Sequence, residues 1–231
     1  MNNDRFSGLP WVPSSDSKIY TTVGGAGGIG SYLSYFLARG GFIPYVWDLD
    51  TIEETNLSGQ LFPQDSVGFS KVAVLSKVIS NFTGVEIFGR QEWYDETSET
   101  SPICFSAFDN MVARTVMFEN WVRTMGEQSE YIQQNAIFID GRLEAEGWQV
   151  YSVPFSEEKI AFYRETLFGD EEVSEVACTM KQTSHFAAMI ATIMFTTFTN
   201  HRSNVKEGFA GRTVPFCQEF FGPMFMTNMT L

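Results

Sequence analysis

The sequence predicts an α/β fold with a mostly parallel sheet, helices on both faces and an antiparallel extension. Three observations support this prediction. A run of β-branched and aromatic residues at 19–23 leads into a glycine-rich turn and an apolar-periodic helix. Strand-like and helix-like segments then alternate along the chain, which is typical of parallel βαβ units. The alternating residues of 147–153 indicate an antiparallel strand added to that sheet.

The glycine-rich turn indicates a Rossmann-like nucleotide-binding unit. Gly25, Gly27 and Gly30 fit the pattern G-x-G-x-x-G between a strand and a helix. The first glycine would make the tight turn, the second would admit a phosphate close to the backbone, and the third would let the helix pack on the strand. The amino end of the helix offers free N–H groups to an anion. Asp48 ends the next strand, about 20 residues on, where an acid is expected to bind a ribose hydroxyl.

The remaining elements follow from the spacing of apolar residues. Short apolar runs predict strands, and apolar residues three or four apart predict helices. The predicted strands are 19–23, 42–47, 85–88, 103–107, 136–139, 147–153 and 214–221. The predicted helices are 32–38, a helix that begins at 68 or 70, 111–125, 157–167 and 179–198. Residues 51–69 are expected to form a loop with one helical turn.

The length predicts a single nucleotide-binding domain over residues 1–231. Residues 1–18 contain prolines and a serine cluster, and are expected to form an extended N-terminal arm. Residues 200–231 contain glycines and many aromatic residues, and are expected to be irregular apart from one last strand.

The composition excludes several classes of function. A net charge of −13 without any basic run argues against nucleic acid and against anionic membrane surfaces as partners. Three distant cysteines with no CxxC pair argue against a zinc site and against a disulfide scaffold. The amino terminus has no apolar core of a signal peptide, and the longest apolar stretch, 186–198, is too short to span a bilayer. We therefore expect a cytoplasmic protein.

Polar residues gather at the predicted carboxyl ends of the parallel strands, where open α/β sheets bind ligands. Besides the glycine loop, they are Asp48, Asp50, Asn56, Lys71, Asp109 and Asn110. Lys71 lies in the first turn of its helix, where the helix dipole disfavours a cation, so we expect it to meet an anion such as a phosphate. Asp109 could hold Mg²⁺, which takes few protein ligands and the rest from phosphate and water. The set lacks an obvious acid or base for hydride transfer, so it favours phosphate and metal chemistry.

Five motifs in order carry a resemblance to a known family. They are Gly25-Ala26-Gly27-Gly28-Ile29-Gly30-Ser31, Asp48-Leu49-Asp50, Asn56-Leu57-Ser58-Gly59-Gln60, Val67-Gly68 before Lys71, and Asp109-Asn110 followed by Arg114. From about residue 20 to about residue 153, the chain resembles the ThiF/MoeB/HesA adenylyltransferases, which share their fold and chemistry with ubiquitin-activating enzymes. The resemblance implies that ATP and Mg²⁺ are bound and that the protein forms a homodimer or a pseudo-symmetric dimer. It also implies that the C-terminal carboxylate of a partner protein, usually a ubiquitin-like one, attacks the α-phosphate of ATP.

The same resemblance assigns roles to individual residues. Gly28 would lie against the α-phosphate, and Asp48 would bind the ribose hydroxyls. The full nucleotide-binding set is Gly25, Gly27, Gly28, Gly30, Asp48, Asp50, Asn56, Lys71 and Asn110. The catalytic set is Lys71, Asp109 and Arg114, with Asp109 as the metal ligand.

Two departures from the family pattern bear on activity. The family motif reads Asn-Leu-x-Arg-Gln, and its arginine, which touches the triphosphate, is Gly59 here. Arg5, Arg90 and Arg142 are candidate substitutes for it. No inserted catalytic-cysteine domain is evident, and Cys178 either receives the activated carboxylate or is simply packed.

These observations favour ATP- and Mg²⁺-dependent adenylation of a protein or peptide C-terminal carboxylate. One alternative is a catalytically idle family member that binds nucleotide and acts as a binding or dimerisation module, because Gly59 replaces the arginine. Another is a nicotinamide-dependent oxidoreductase, which would leave Asn56, Lys71 and Asp109 without a role.

Overall fold

The computed structural model describes residues 8–144, 146–168 and 183–231. Its strands are β1 (Tyr20–Gly24), β2 (Ile43–Trp47), β3 (Phe88–Arg90), β4 (Ile103–Ser106), β5 (Ile137–Glu144), β6 (Gly147–Pro154), β7 (Cys217–Phe221) and β8 (Met226–Thr230). They form one eight-stranded sheet in the order β3-β2-β1-β4-β5-β6-β7-β8. Strands β1 to β5 are parallel and β6 to β8 are antiparallel. The prediction of a mostly parallel sheet with an antiparallel extension is therefore confirmed.

Helices cover both faces of this sheet, as the sequence predicts. In the described residues they are α1 (Gly28–Arg39), α2 (Lys71–Thr83), α3 (Met111–Gly126), α4 (Glu130–Asn135), α5 (Glu157–Arg164) and α6 (Ser184–Glu207). Helices α1, α2 and α6 share one apolar core with one face of the sheet. Helices α3 and α5 share a second core with the other face. No helix among the described residues is long and apolar enough to cross a membrane.

Local sequence explains where the helices near the candidate site begin and end. Ser70 and Asn110 cap α2 and α3 by accepting N–H groups from the first turn of each helix. Gly84 ends α2 in the left-handed region, at φ 70°, which favours glycine. Two 3₁₀ turns, Glu54–Ser58 and Gln64–Ser66, occupy the loop predicted for 51–69.

The third strand lies later in the chain than the prediction places it. Residues 85–87 form a connection after the left-handed Gly84, and β3 begins only at Phe88. All three residues of β3 are exposed at the edge of the sheet. An edge strand gains less from burial than a central one, so its apolar pattern marks its position poorly.

The irregular segment predicted for 200–231 is wrong for most of its length. Helix α6 continues to Glu207, and β7 and β8 pair with each other. Contacts with distant parts of the chain hold the end of α6: Arg202 Nε donates to the carbonyl of Trp11 at 2.7 Å. Asn204 exchanges hydrogen bonds of 2.7 and 2.9 Å with the backbone of Arg212. In the described residues α6 begins at Ser184, and the predicted start at 179 lies outside them.

Candidate functional site

The candidate site lies at the point where the strand order reverses. Strand β1 lies between β2 and β4, so the chain leaves β1 toward one side and later continues on the other. Crevices outside the carboxyl ends of the strands at such a switch point bind ligands in open α/β sheets. The glycine loop follows β1 at this edge, Asp48 follows β2, and Asp109 follows β4.

Two glycines of the loop are packed against the protein backbone, whereas another borders open space. Gly25 has φ +90°, and a Cβ there would lie 2.7 Å from the carbonyl oxygen of Ala107. A Cβ on Gly30 would overlap the carbonyl oxygen of Gly25. A Cβ on Gly27 would meet only the Nε2 of Gln60, at 3.9 Å, within 4 Å. The first and third glycines thus serve packing, whereas the second borders a space that a ligand can fill.

One feature of this space fits a phosphate group, and a second requires a hydrogen-bond donor. The first N–H groups of a helix have no intrahelical acceptor. Because Gly27, which precedes α1, provides no side-chain cap, these N–H groups of α1 are available to a ligand. An anion at such a helix end is stabilised by these donors and by the helix dipole. The Oε1 of Gln60 is buried and has no hydrogen-bond partner. A buried amide oxygen without a partner is costly, so a donor from a ligand or a water would stabilise it.

Asp48 connects the glycine loop to the end of β2. Its carboxylate accepts the N–H of Ala26 at 2.6 Å and the N–H of Asp50 at 2.8 Å. Burial raises the pKa of Asp48, although Lys71 and the two N–H groups oppose that rise. A carboxylate has about four acceptor positions, so Asp48 retains capacity for ribose hydroxyls.

Lys71 is buried, and its anionic partner within the protein is Asp50. The Nζ of Lys71 donates to Asp50 Oδ2 at 2.7 Å, and the Lys71 side chain is 8% exposed while that of Asp50 is 65% exposed. The backbone N–H of Lys71 also donates to the carbonyl of Asp50 at 3.0 Å. These contacts place the lysine at the same edge of the sheet as the glycine loop.

The loop that carries Asn56 and Gly59 is tied to α1. Asn56 Oδ1 accepts the N–H of Glu53 at 3.0 Å, which makes a capping box at the start of the first 3₁₀ turn. Gly59 follows the end of that turn and is buried. The N–H of Leu61 donates to Ser31 Oγ at 3.1 Å. This loop therefore lies against the amino end of α1, close to the predicted phosphate position.

Asp109 and Asn110 form an exposed turn beside the glycine loop. Asn110 Oδ1 accepts the N–H of Ala113 at 2.8 Å, and its Nδ2 donates to Asp109 Oδ1 at 3.3 Å. Within the described part of the chain, no three His, Cys, Asp or Glu side chains lie close enough to hold a metal ion. A single carboxylate fits Mg²⁺, because this ion takes the rest of its ligands from phosphate and water.

Arg114 lies in a buried cluster and not on the surface of the crevice. It is 5% exposed, and it binds Asp140 and the carbonyl of Phe108. Arg142 donates to Asp140 at 2.7 Å and to the carbonyl and hydroxyl of Thr166, both at 3.0 Å. Because all three of its nitrogens are used in this way, Arg142 does not replace the arginine lost at Gly59.

Asp140, the buried acid that binds Arg114 and Arg142, is not singled out by the sequence analysis. Burial alone would raise its pKa, but Arg114 and Arg142, with hydrogen bonds from Arg142 and Tyr163, hold the pKa of Asp140 below its usual value. The signal that could have found it is its position directly after the predicted apolar strand 136–139. An aspartate at such a position is expected to be buried, and a buried carboxylate requires a partner.

The other candidates are placed as follows. Arg90 is exposed, with its guanidinium 6.0 Å from the ring of Trp47. Cys104 and Cys217 are buried free thiols. Arg5 and Cys178 lie outside the described residues.

Comparison with solved structures finds the same fold in two proteins, PaaA and MccB. PaaA is 13% identical, with a TM-score of 0.66 over 91% of this chain and 63% of PaaA. MccB of E. coli, solved with succinimide, is 16% identical, with a TM-score of 0.66 over 92% of this chain and 63% of MccB. MccB solved with ATP gives 14% identity, with a TM-score of 0.64 over 92% of this chain and 63% of that one. The chain therefore spans less than two thirds of these proteins.

Comparison with curated protein sequences finds no match. A family model gives a more specific result, because the model of the ThiF family matches residues 17–219. This match covers most of the chain, including the predicted nucleotide-binding and catalytic sets. The chain therefore belongs to the ThiF family.

Proposed function

We propose that the chain binds ATP with Mg²⁺ and adenylates the C-terminal carboxylate of a peptide or protein. The observation that carries the proposal is the meeting of the glycine loop, the Lys71–Asp50 pair and the Asp109 turn at one edge of the sheet. A helix end for anions, a cation and an oxygen ligand for a metal together suit a nucleoside triphosphate. Membership of the ThiF family and the likeness to MccB, which was also solved with ATP, support this proposal.

Each group in the crevice has a role in this proposal. Backbone N–H groups of the glycine loop would bind the phosphates, with Gly28 nearest the α-phosphate. Asp48 would orient the ribose, while Asn56 would contact phosphate and Asn110 would lie beside the nucleotide. Lys71 would offset the negative charge that develops at the α-phosphate, and the exposed Asp50 would hold its ammonium group only until the phosphate approaches. Mg²⁺ at Asp109 would neutralise charge on the departing pyrophosphate.

The reaction requires positioning and charge more than proton transfer. One carboxylate oxygen of the partner bonds to the α-phosphorus, and the bond from that phosphorus to the oxygen bridging to the β-phosphate breaks. The products are an acyl-adenylate and pyrophosphate. The attacking carboxylate, with a pKa of about 3.5, is already ionised at neutral pH, so the site needs no general base.

The partner in this proposal is a peptide or a ubiquitin-like protein with a free C-terminal carboxylate. One MccB structure contains AMPCPP together with MccA, which supports a peptide partner. A homodimer and a cytoplasmic location, which follow from the resemblance and the composition, belong to the same proposal.

A catalytically idle, nucleotide-binding module is the second candidate function. The specific observation in its favour is Gly59, which is buried after the first 3₁₀ turn at the position of the family's arginine. Arg142 is fully engaged elsewhere, so the described part of the crevice gains no cation from it.

Exchange of labelled pyrophosphate into ATP tests the proposal. We expect exchange that requires Mg²⁺ and a peptide with a free C-terminal carboxylate. Asp109→Ala should abolish exchange without changing the melting temperature, whereas Asp65→Ala, an exposed aspartate of the second 3₁₀ turn, should exchange like the wild type. Wild-type exchange in Asp109→Ala would show that the metal assignment is wrong.

Two binding measurements separate the alternatives. ATP binding with no exchange, whichever carboxylate is supplied, would favour the idle module. Tight NADH binding without ATP binding would favour the oxidoreductase.

A further inference from the structure

A fully buried carboxylate organises the protein next to the Asp109 turn. Asp140, on β5, has no exposed surface. One of its oxygens binds Arg114, and the other accepts Arg142 Nε at 2.7 Å and the hydroxyl of Tyr163 at 3.0 Å. Because both oxygens are occupied by donors on α3, β5 and α5, Asp140 is held in one position.

Arg114 connects this cluster to the backbone just before the Asp109 turn. Its Nη1 binds Asp140 and also donates to the carbonyl of Gly141 at 3.1 Å, while its Nη2 binds the carbonyl of Phe108. Phe108 is the residue directly before Asp109. The guanidinium group is planar and rigid, so anchoring one side of it at Asp140 also fixes the position of the other side.

The turn itself depends on backbone contacts for its position. The N–H of Ala107 donates to the carbonyl of Gly24 at 2.8 Å, and the Phe108 ring fills the space where a side chain on Gly24 would lie. The side chain of Asp109 is exposed, and it accepts a hydrogen bond of 3.3 Å from the neighbouring Asn110. The backbone of the turn therefore decides where the Asp109 carboxylate points.

We propose that Arg114, anchored by Asp140, is a positioning residue that fixes the Phe108 carbonyl and thereby the turn that presents Asp109 to a metal–nucleotide complex. The consequence for metal binding rests on the proposed function, whereas the bracing of the turn is a property of the protein alone. Ligand groups of a functional site need to be held within about 0.5 Å, which an exposed turn achieves only through such support.

Arg114→Lys tests this role, and Arg142→Lys is its matched control. Both arginines are buried, both bind Asp140, and lysine keeps the charge while losing the fork. Only Arg114 contacts the Phe108 carbonyl, so a general structural effect should appear in both variants and a positioning effect in one. The first measurement is ATP affinity with and without Mg²⁺, expressed as the ratio of the two affinities. The second is hydrogen exchange of the amides of residues 107–111 without any ligand.

We expect Arg114→Lys to reduce the Mg²⁺ effect on ATP affinity about tenfold or more, as is typical of residues that orient metal ligands. Exchange of the 107–111 amides should become faster in the same variant. Arg142→Lys should leave both close to the wild type. Equal changes in the two variants, or no change in Arg114→Lys, would overturn the inference.

A second pair of variants covers the case in which a lysine variant does not fold. Arg114→Met leaves Asp140 paired with Arg142, and Arg142→Met leaves it paired with Arg114, so each keeps a balanced buried pair of charges. The same difference between the two variants is expected. If the wild-type protein binds no ATP, the proposed function fails, but hydrogen exchange of the turn still decides whether Arg114 braces it.

Discussion

The ion pairs after β2 and on β5 each join an aspartate to basic side chains, but the two lie in different environments. After β2, the Asp50 side chain is 65% exposed and that of its partner Lys71 is 8% exposed. On β5, the Asp140 side chain is 0% exposed, and those of Arg114 and Arg142 are 6% and 7% exposed. Asp50 can therefore move into water when a phosphate approaches Lys71, whereas Asp140 is enclosed with both of its arginines and has no such path to water.

Because of this difference, the Lys71–Asp50 pair can bind a ligand, whereas the Asp140 cluster stabilises the fold. Exposed ion pairs stabilise a protein by about 0–1 kcal/mol, because water and salt screen them. Removing one member of a buried pair costs about 3–5 kcal/mol, because its partner remains buried without compensation. The ability of an ion pair to take up a ligand thus depends on how much of it faces water.

The largest effect is expected from Asp140→Ala, which removes the carboxylate shared by two buried arginines. The free energy of unfolding should fall by about 3–5 kcal/mol. Urea unfolding followed by circular dichroism measures this loss, with an unchanged slope showing that only stability has changed. Asp50→Ala is the control with an exposed carboxylate. A loss below about 1 kcal/mol in Asp140→Ala would show that its charges are screened like those of a surface pair.

Local patterns were sufficient to predict the elements around the crevice. The glycines of the loop, the acid after β2 and the start of α2 are each signalled within a few residues. These signals work because a tight turn or a helix start imposes its own demands on nearby residues. Lys71 meets an anion, as predicted, but the one within the protein is Asp50, and its contact with a phosphate stays a prediction.

Features that depend on distant parts of the chain could not be predicted in the same way. Arg114 and Asp140 are 26 residues apart, and only the packing of α3 on β5 shows that they pair. Strand β8 has five exposed residues and forms by pairing with β7, so burial leaves no alternating pattern in its sequence. The interpretation of Arg114 as a catalytic residue came from its place in a motif. Its burial instead supports a positioning role.

His201 sharpens the comparison because it is buried without a partner for its Nε2. Burial lowers its pKa to about 4, partly opposed by a hydrogen bond with the backbone of Asn135. The folded state therefore keeps His201 neutral while the unfolded chain takes up a proton below its ordinary pKa of about 6.5. Stability from this group is complete above about pH 6.5 and is lost as the pH falls toward about 4, to a total of about 3 kcal/mol.

Unfolding free energies between pH 7 and pH 4, measured for the wild type and for His201→Gln, check this expectation. Glutamine does not titrate, so its stability should fall less steeply over that range. Parallel curves for the two proteins would mean that His201 is protonated in the folded state as readily as in the unfolded chain. The remaining acid dependence below about pH 4 should include Asp140, whose lowered pKa makes its contribution fall away only there.

The smallest effect is expected from Asp50→Asn. The amide oxygen of asparagine can still accept the hydrogen bond from Lys71 Nζ, so the variant loses charge attraction but no hydrogen-bond partner. Since the Asp50 side chain faces water, the free energy of unfolding should fall by about 1 kcal/mol or less, and the difference should shrink in high salt. Asp65→Asn, another exposed aspartate, serves as the control for a general effect of lost charge. A loss of about 3 kcal/mol or more that salt does not reduce would place the Lys71 ammonium in the same class as the buried arginines of β5, and the ability of Asp50 to yield to a phosphate would then be excluded.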